Sequence, residues 1–252
     1  MHQGVHQGVH QGVHQGAHQG VHQGVHQGAR LTSLFVTGTD TGVGKTLVSA
    51  ALLHTLAQRH ARVVGMKPVA AGLVQQAGAW VSEDVLMLRA ASTVQVPPEL
   101  DNPVGLPEPL SPHLAAARAG RHVSVAQLLR AQRELLTLAD VVLVEGAGGW
   151  RVPLNELETL ADLARAMAAP VVLVVGLRLG CLNHALLTAE AIRADGLTLA
   201  GWVANSIDPD MACRDENIDT LRQRLHAPLL GVVPWLPVPD ARTIRLQLPE
   251  SW

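Results

Sequence analysis

The chain has 252 residues, of which 48% are hydrophobic and 16% are charged, and its formal net charge is −2 at pH 7. This composition excludes a chain that is disordered throughout, and the small net charge gives no global attraction to nucleic acid or anionic lipid. No apolar run is long enough to span a bilayer, and Cys181 and Cys213 form neither a disulfide framework nor a CxxC pair, so we expect a cytoplasmic protein without membrane or nucleic-acid partners.

A tandem repeat occupies the start of the chain. Residues 2–28 read His-Gln-Gly-Val or His-Gln-Gly-Ala throughout, with too little apolar surface to offset the entropy of ordering. The segment lacks the basic and apolar regions of a secretory signal. We expect residues 1–29 to form a disordered tail, either a translated DNA repeat or the result of a start codon placed too early. Residues 30–252 are expected to form one domain.

Apolar runs and helical patterns alternate along that domain. The predicted strands are Leu34–Thr37, Val63–Val69, Asp140–Glu145, Pro170–Gly176, Leu199–Ala204 and Leu229–Val233. The predicted helices are Lys45–Arg59, Ser82–Ala90, Ser124–Leu138, Thr159–Ala168, Cys181–Asp195 and Asp215–His226. The proline-rich residues 96–112 are expected to be a long loop. The alternation predicts an α/β fold with a parallel sheet covered by helices on both faces, and with ligands beyond the carboxyl ends of the strands.

A phosphate-binding loop is predicted between the first strand and the first helix. Gly38–Thr46 reads GTDTGVGKT, a variant of G-x-x-x-x-G-K-[ST] in which Thr39 replaces the first glycine. Backbone N–H groups and the start of a helix form a concave anion site in such loops. We expect Lys45 to contact the β- and γ-phosphates of a nucleotide and the Thr46 hydroxyl to bind Mg²⁺. A glycine-rich turn without a ligand is the alternative.

Two acids are candidates to complete the metal site. Glu145 ends a buried strand and precedes Gly146-Ala-Gly-Gly149, where backbone can approach a ligand closely. Mg²⁺ is usually held by one or two carboxylates together with phosphate oxygens. Asp84 is weaker by sequence alone, because an acid in the first turn of a helix is ordinary. A capping or salt-bridging role is the alternative for Glu145.

Lysine is rare in this chain. Of its 19 cationic residues only Lys45 and Lys67 are lysines, and the others are arginines. Such a bias indicates that lysine is kept where a compact ammonium does what a guanidinium cannot. Lys67 ends the second predicted strand, so we expect its ammonium near the phosphate loop, where it would stabilise charge on a transferring phosphoryl group. A solvated lysine at a strand end is the alternative.

Seven motifs together resemble the dethiobiotin synthetase family, over roughly residues 34–236. They are GTDTGVGKT (Gly38–Thr46), KPVAAG (Lys67–Gly72), EPLSPHL (Glu108–Leu114), VEGAGGW (Val144–Trp150), LGCLNH (Leu179–His184), GWVAN (Gly201–Asn205) and PLLGVVPWL (Pro228–Leu236). The resemblance implies a homodimeric P-loop enzyme that uses ATP, Mg²⁺ and CO₂ to close a ureido ring on 7,8-diaminononanoate, through a carbamate and a carbamic–phosphoric anhydride.

The resemblance also implies residue roles. The catalytic lysines are Lys45 and Lys67, and the Mg²⁺ ligands are Thr46, Asp84 and Glu145. The nucleotide contacts are Gly42, Val43, Gly44, Lys45, Thr46, Leu47, Asp84, Glu145, Gly146, Ala147 and Gly148, with Asn205, Ser206, Pro234, Trp235 and Leu236 forming the adenine pocket. The substrate contacts are Ala71, Gly180, Cys181, Leu182 and Asn183, the last four at a helix start that suits a carboxylate.

The sequence departs from the family pattern at three positions. Ala71 lacks the hydroxyl of a serine that the family often has, and Gly42 stands where some members carry Glu. Asn217 lies near the position of a tyrosine that in some members reaches the substrate across a dimer interface, and this chain has no tyrosine. We expect weaker binding of the diamine as a result.

Three other functions remain open at this stage. A ParA/MinD-like partner-regulated ATPase shares the fold but usually has an early loop lysine, which residues 39–41 lack. A cobyric-acid-synthase-like amidoligase needs a glutamine amidotransferase domain, for which we expect no room before Trp252. A His-rich metal-binding module would assign the function to the repeat, and activity that survives removal of residues 1–28 would exclude it.

Overall fold

The computed structural model describes residues 31–76 and 78–252. The predicted tail, residues 1–29, lies outside the described residues. The strands are β1 (Ser33–Gly38), β2 (Val63–Met66), β3 (Val69–Ala71), β4 (Val74–Gln76), β5 (Ala79–Val81), β6 (Val104–Leu106), β7 (Val141–Glu145), β8 (Val171–Leu177), β9 (Leu199–Ser206) and β10 (Leu229–Val233). The helices are α1 (Lys45–Leu56), α2 (Glu83–Ala91), α3 (Pro98–Asp101), α4 (Pro112–Arg118), α5 (Val125–Leu138), α6 (Leu160–Met167), α7 (Cys181–Ala194) and α8 (Arg214–Arg224).

Six strands form a central sheet in the order β10-β9-β8-β1-β7-β2, and every neighbouring pair is parallel. Alternate residues of β1 enter different cores: Phe35 packs with α5, α6, α7 and α8, whereas Leu34 and Val36 pack with α1, α2 and the C-terminal segment. Burial on both faces explains why these strands are continuous apolar runs. The predicted parallel sheet with helices on both faces in one domain is confirmed. No helix in the described part of the chain is long and apolar enough to cross a membrane.

The second predicted strand is shorter than expected. Strand β2 ends at Met66 because Pro68 has no N–H to donate to a ladder. The N–H of Lys67 donates instead to the carbonyl of Asp101 at 2.7 Å. Strand β3 then pairs with β6 in a separate two-stranded sheet. This break turns Lys67 out of the central sheet at its carboxyl edge.

The prediction of a long loop over residues 96–112 was wrong. This segment contains α3 and β6, and α4 begins at Pro112. Two of its prolines, Pro98 and Pro112, open helices, where a missing N–H costs nothing. Helix α1 also ends at Leu56 rather than at Arg59, and the short hairpin of β4 and β5 was not predicted.

Candidate active site

The phosphate loop joins β1 to α1 and depends on Gly44 in two ways. Gly44 has φ +84°, a left-handed conformation that favours glycine. A Cβ on Gly44 would also lie 2.1 Å from the amide nitrogen of Asn205. That nitrogen donates to the carbonyl of Val43 at 2.9 Å, and Asn205 is buried at the end of β9. The end of β9, which is separated from β1 by β8 in the sheet, therefore supports the loop.

Lys45 is held inside the loop. Its ammonium donates to the carbonyl of Asp40 at 3.0 Å, and the residue is 7% exposed. Burial and the nearby positive charge of Lys67 lower the pKa of Lys45 from 10.5 to about 8. The ammonium thus sits where an anion, such as a nucleotide phosphate, would stabilise its charged form.

Four side chains converge beside the loop at the carboxyl ends of β2 and β7. The Lys67 ammonium lies 2.7 Å from Oδ2 of Asp84 and 2.6 Å from Oε1 of Glu145. The Thr46 hydroxyl oxygen lies 2.8 Å from Oδ1 of Asp84 and 2.8 Å from Oε1 of Glu145. Strand pairing explains the arrangement, because Met66 is opposite Val144 and the next residues of both strands are Lys67 and Glu145.

The charges in this cluster stabilise one another. Burial disfavours the Lys67 ammonium, but the carboxylates of Glu145 and Asp84 outweigh burial and raise the pKa of Lys67. Burial likewise opposes ionisation of Asp84, but Lys67 and then the Thr46 hydroxyl lower the pKa of Asp84. The site therefore presents a charged ammonium that is buried, at Lys67, beside a charged carboxylate that is partly exposed to the cavity, at Asp84.

The donor set of this cluster fits Mg²⁺. Oε2 of Glu145 is buried and has no hydrogen-bond partner among residues 31–76 and 78–252. A buried carboxylate oxygen without a partner is costly unless a cation or donor satisfies it. Together with Asp84 and the Thr46 hydroxyl it offers the hard oxygen ligands that Mg²⁺ prefers.

A cavity of about 700 Å³ opens above the cluster. It brings together most of the predicted residues near the phosphate loop: Gly42, Gly44, Lys45, Thr46, Leu47, Lys67, Ala71, Asp84, Glu145, Ala147 and Gly148. The rest of the cavity wall, which is outside the predicted list of contact residues, consists of Thr41, Val69, Pro109, Leu110, Ser111, Pro112 and Val152. The EPLSPHL motif was a signal for part of this wall, whereas Val152 had none.

Gly148 lines this cavity and packs closely against Val152 and the phosphate loop. It has φ +63°, and a Cβ there would lie 2.9 Å from Cγ2 of Val152 and 3.4 Å from Oγ1 of Thr41. The glycine-containing segment after Glu145 therefore passes directly against the phosphate loop. This is the close backbone approach that its sequence predicts.

The predicted adenine-pocket residues lie outside the lining of this cavity in the described chain. Asn205 and Ser206 are buried at the end of β9, next to the loop, and Ser206 Oγ has no partner among the described residues. Of the segment after β10, Trp235 is 47% exposed and Leu236 packs against the core that contains α1. Val43 and Gly146 are also outside the cavity lining in the described chain, and Val43 is buried in the core.

The predicted carboxylate site is similarly separate. Gly180 has φ +95° and precedes α7, Cys181 is 2% exposed in the core, and within the described chain residues 180–183 do not line the cavity. Asn217 donates through its amide to the carbonyl of Cys213 at 2.7 Å, inside its own helix turn. One chain therefore does not bring the predicted carboxylate contacts to the phosphate loop.

A phosphate loop with a buried lysine, backed by oxygen donors at the carboxyl edge of a parallel sheet, defines a P-loop nucleotide-binding domain. A family model described as "AAA domain" matches residues 32–243. The "ATP-dependent dethiobiotin synthetase BioD" of Xanthomonas euvesicatoria pv. vesicatoria (strain 85-10) is 53% identical over 220 residues, which cover 86% of this chain and 98% of that protein. The chain belongs to the dethiobiotin synthetase family.

Solved structures share the fold at much lower identity. A MinC:MinD cell division protein complex from Aquifex aeolicus is similar with a TM-score of 0.51 and 17% identity, over 82% of each chain. A ParA family ATPase from Chlorobium tepidum TLS is similar with a TM-score of 0.50 and 11% identity, over 82% of this chain and 85% of that one. These likenesses concern the fold alone, so they do not favour the ParA/MinD-like function.

Proposed function

We propose that this chain is an ATP-dependent cyclo-ligase that makes dethiobiotin from 7,8-diaminononanoate, CO₂ and ATP in biotin biosynthesis. The observation that carries the proposal is the 53% identity to a curated dethiobiotin synthetase over 98% of its length. The convergence of Lys45, Lys67, Thr46, Asp84 and Glu145 on one cavity supports it, because phosphoryl transfer depends on positioning and charge stabilisation.

The proposed reaction has three steps. An amine nitrogen of the diamine bonds to the carbon of CO₂ and loses a proton, which gives a carbamate. A carbamate oxygen then attacks the γ-phosphorus of ATP, and the bond from that phosphorus to the β–γ bridging oxygen breaks. ADP is released, and the product is a carbamic–phosphoric anhydride. The second amine attacks the carbonyl carbon of the anhydride and loses a proton, and phosphate leaves as the ureido ring closes.

The two lysines have separate tasks in this proposal. Lys45 lies within the loop and binds the β- and γ-phosphates. Lys67 follows β2 and lines the same cavity, where its ammonium stabilises the negative charge on the carbamate and on the γ-phosphoryl oxygens in the transition state. Asp84 and Glu145 keep the Lys67 ammonium charged and oriented.

Mg²⁺ is the proposed metal cofactor, with Thr46, Asp84 and Glu145 as the residues that would hold it. When bound it neutralises charge on the phosphate oxygens. Residues 42–47 and 146–148 are the proposed contacts of the nucleotide phosphates. The proposed adenine contacts remain Asn205, Ser206 and Pro234–Leu236. The close approach of the Asn205 amide to Gly44 in the phosphate loop supports this part of the proposal.

Substrate binding divides into two parts. Ala71 and the apolar side chains of Val69, Leu110 and Val152 line the cavity and suit the aliphatic chain of the diamine. The proposed contacts of the substrate carboxylate are at the start of α7 and comprise Gly180, Cys181, Leu182 and Asn183. Because they do not line the cavity within the described chain, we propose that a second copy supplies them in a homodimer.

The remaining parts of the proposal concern the tail and the setting. Residues 1–29 form a tail that the reaction does not need, and residues 30–252 form the P-loop ATP-dependent carboxylase domain. We propose a cytoplasmic enzyme whose partners, apart from its second copy, are small molecules.

A product assay tests this function. The full-length protein is incubated with ATP, Mg²⁺, ¹³C-bicarbonate and 7,8-diaminononanoate, and dethiobiotin is identified by mass spectrometry. We expect ¹³C in the ureido carbonyl, dependent on both ATP and the diamine. ATP hydrolysis that is indifferent to the diamine and gives no dethiobiotin would contradict the proposal and favour a partner-regulated ATPase.

A further inference from the structure

An ion pair joins the tip of the phosphate loop to the end of β8. Oδ2 of Asp40 lies 2.5 Å from Nη2 of Arg178, and Oδ1 of Asp40 accepts the backbone N–H of Thr41 at 2.7 Å. Both oxygens of this carboxylate are therefore engaged, one by the loop itself and one by Arg178. The two residues are 138 positions apart in the chain.

Asp40 also contacts the loop lysine through its backbone. Its carbonyl accepts the hydrogen bond from the Lys45 ammonium at 3.0 Å, and the next residue, Thr41, lines the cavity. The orientation of the peptide between Asp40 and Thr41 therefore sets the resting place of the Lys45 ammonium. A contact that orients the Asp40 side chain acts on this peptide directly.

The backbone brings Arg178 to this position. Strand β8 pairs with β1 as far as Gly38 opposite Val174, and the N–H of Thr39 continues the ladder by donating to the carbonyl of Val174 at 3.0 Å. Arg178 follows β8 directly, and its own carbonyl accepts the N–H of Cys181 at 3.0 Å where α7 begins. Arg178 thus contacts the phosphate loop through its side chain and the start of α7 through its backbone.

We propose that Arg178 is a positioning residue for nucleotide binding, which acts through Asp40 to hold the tip of the phosphate loop in the conformation that receives the phosphates. Within the described chain Arg178 lies outside the cavity lining, so its effect is indirect. The inference rests on the ATP-binding part of the proposed function and not on the identity of the carboxylated substrate.

The chain contains a matched control pair at the opposite edge of the sheet. Nη2 of Arg62 lies 2.8 Å from Oδ1 of Asp140, directly before β2 and β7. The arginine side chains are similarly exposed, 53% for Arg62 and 44% for Arg178. The pairs lie at opposite edges of the sheet, and the side chain of Asp140 is less exposed than that of Asp40, 22% against 45%.

The test is the affinity of the full-length protein for Mg-ADP, measured by titration calorimetry without diamine or bicarbonate. We expect Arg178→Ala to weaken binding about two- to fivefold, the range of an exposed ion pair. Arg178→Lys keeps the affinity within twofold, and Arg62→Ala binds like the wild type. In turnover, the KM for ATP rises by the same factor in Arg178→Ala while kcat changes less than twofold.

A double-mutant cycle separates positioning from simple charge. In an Asp40→Asn background we expect Arg178→Ala to have no further effect, whereas a long-range charge effect would be equal in both backgrounds. Equal effects overturn the proposal, as does wild-type affinity in Arg178→Ala. If the wild type binds Mg-ADP but makes no dethiobiotin, the proposed reaction is refuted, and the double-mutant cycle still decides the inference about Arg178. A wild type that binds no nucleotide overturns both.

Discussion

The neighbouring strands β2 and β7 carry an ion pair at each end, and the two pairs differ in residue type and surroundings. At the amino ends, Arg62 and Asp140 are in contact and the arginine side chain is 53% exposed. At the carboxyl ends, Lys67 and Glu145 are 2.6 Å apart, with side chains 5% and 0% exposed. A chain with 19 cationic residues and only two lysines places one of them here.

The difference in burial indicates that Arg62–Asp140 is a solvated surface contact, whereas Lys67–Glu145 belongs to the functional site. An exposed ion pair contributes about 0–1 kcal/mol to stability. Burying a charged pair carries a desolvation penalty that its own attraction often fails to offset, so a buried pair is weak evidence for stability. The carboxyl-end cluster with Thr46 and Asp84 is therefore better explained by chemistry than by folding, and the following changes test that contrast.

The largest effect is expected from Lys67→Arg. A guanidinium cannot replace the compact ammonium between Asp84 and Glu145, so we expect kcat to fall by about 10²–10³-fold, as for loss of one preorganised charge-stabilising donor. Steady-state dethiobiotin formation measures this. The matched change, Arg62→Lys, should alter kcat less than twofold. More than a tenth of wild-type kcat in Lys67→Arg would argue against a catalytic ammonium.

Glu145→Gln should affect stability as well as activity. It leaves Lys67 buried with one carboxylate fewer, and we expect the free energy of unfolding to fall by about 3 kcal/mol, the low end for a broken buried pair because Asp84 remains. Urea unfolding measures the loss. The matched Asp140→Asn should cost under about 1 kcal/mol. Equal losses at the two ends would remove the contrast.

Nucleotide affinity should depend on pH through Lys45. Its pKa is lowered to about 8 by burial and by Lys67, so below that pH the ammonium is charged and receives the phosphates. Above it the lysine is neutral and must take up a proton on binding, so the affinity for Mg-ADP should fall by up to about tenfold per pH unit. Titrations from about pH 7.5 to 9.5 check this, with Lys45→Met as a control that loses the dependence. A flat wild-type profile would contradict it.

The smallest effect is expected at His60, near the amino edge. His60 is 6% exposed, and neither ring nitrogen has a partner within the described part of the chain. Replacing an unpaired buried polar group by an apolar one of similar size is close to neutral or stabilising. We expect His60→Leu to change the free energy of unfolding by −0.5 to about +1 kcal/mol and to leave kcat unchanged. A loss well above 1 kcal/mol would mean that the imidazole makes a bond that matters.

The sequence predicts the residues at the carboxyl edge of the sheet better than it predicts the contacts that surround them. The apolar run before Glu145 and the loop around Lys45 are local patterns, and parallel strands bring their carboxyl ends to one edge, so the neighbourhood of Lys67 and Glu145 follows from them. Strand order does not follow, and so the direct pairing of Met66 with Val144 came only from the structure.

Other features lack a local signal. Prolines at 98 and 112 indicated a loop because proline interrupts most elements, yet at a first helical position it is favoured. The contact of Asp40 with Arg178 spans 138 residues, and only one partner lies in a recognisable motif. The wall residue Val152 is placed by tertiary packing alone.

The most direct test of the account follows the oxygen atoms of CO₂. The enzyme is given ¹⁸O-labelled CO₂ with ATP, Mg²⁺ and the diamine, and the phosphate released in a reaction short compared with exchange into water is analysed by mass spectrometry. Attack of a carbamate oxygen on the γ-phosphorus predicts one ¹⁸O atom in phosphate for each dethiobiotin formed. Unlabelled phosphate formed together with dethiobiotin would show that water takes the phosphoryl group. That result would contradict the proposed attack of a carbamate oxygen on ATP beside Lys67.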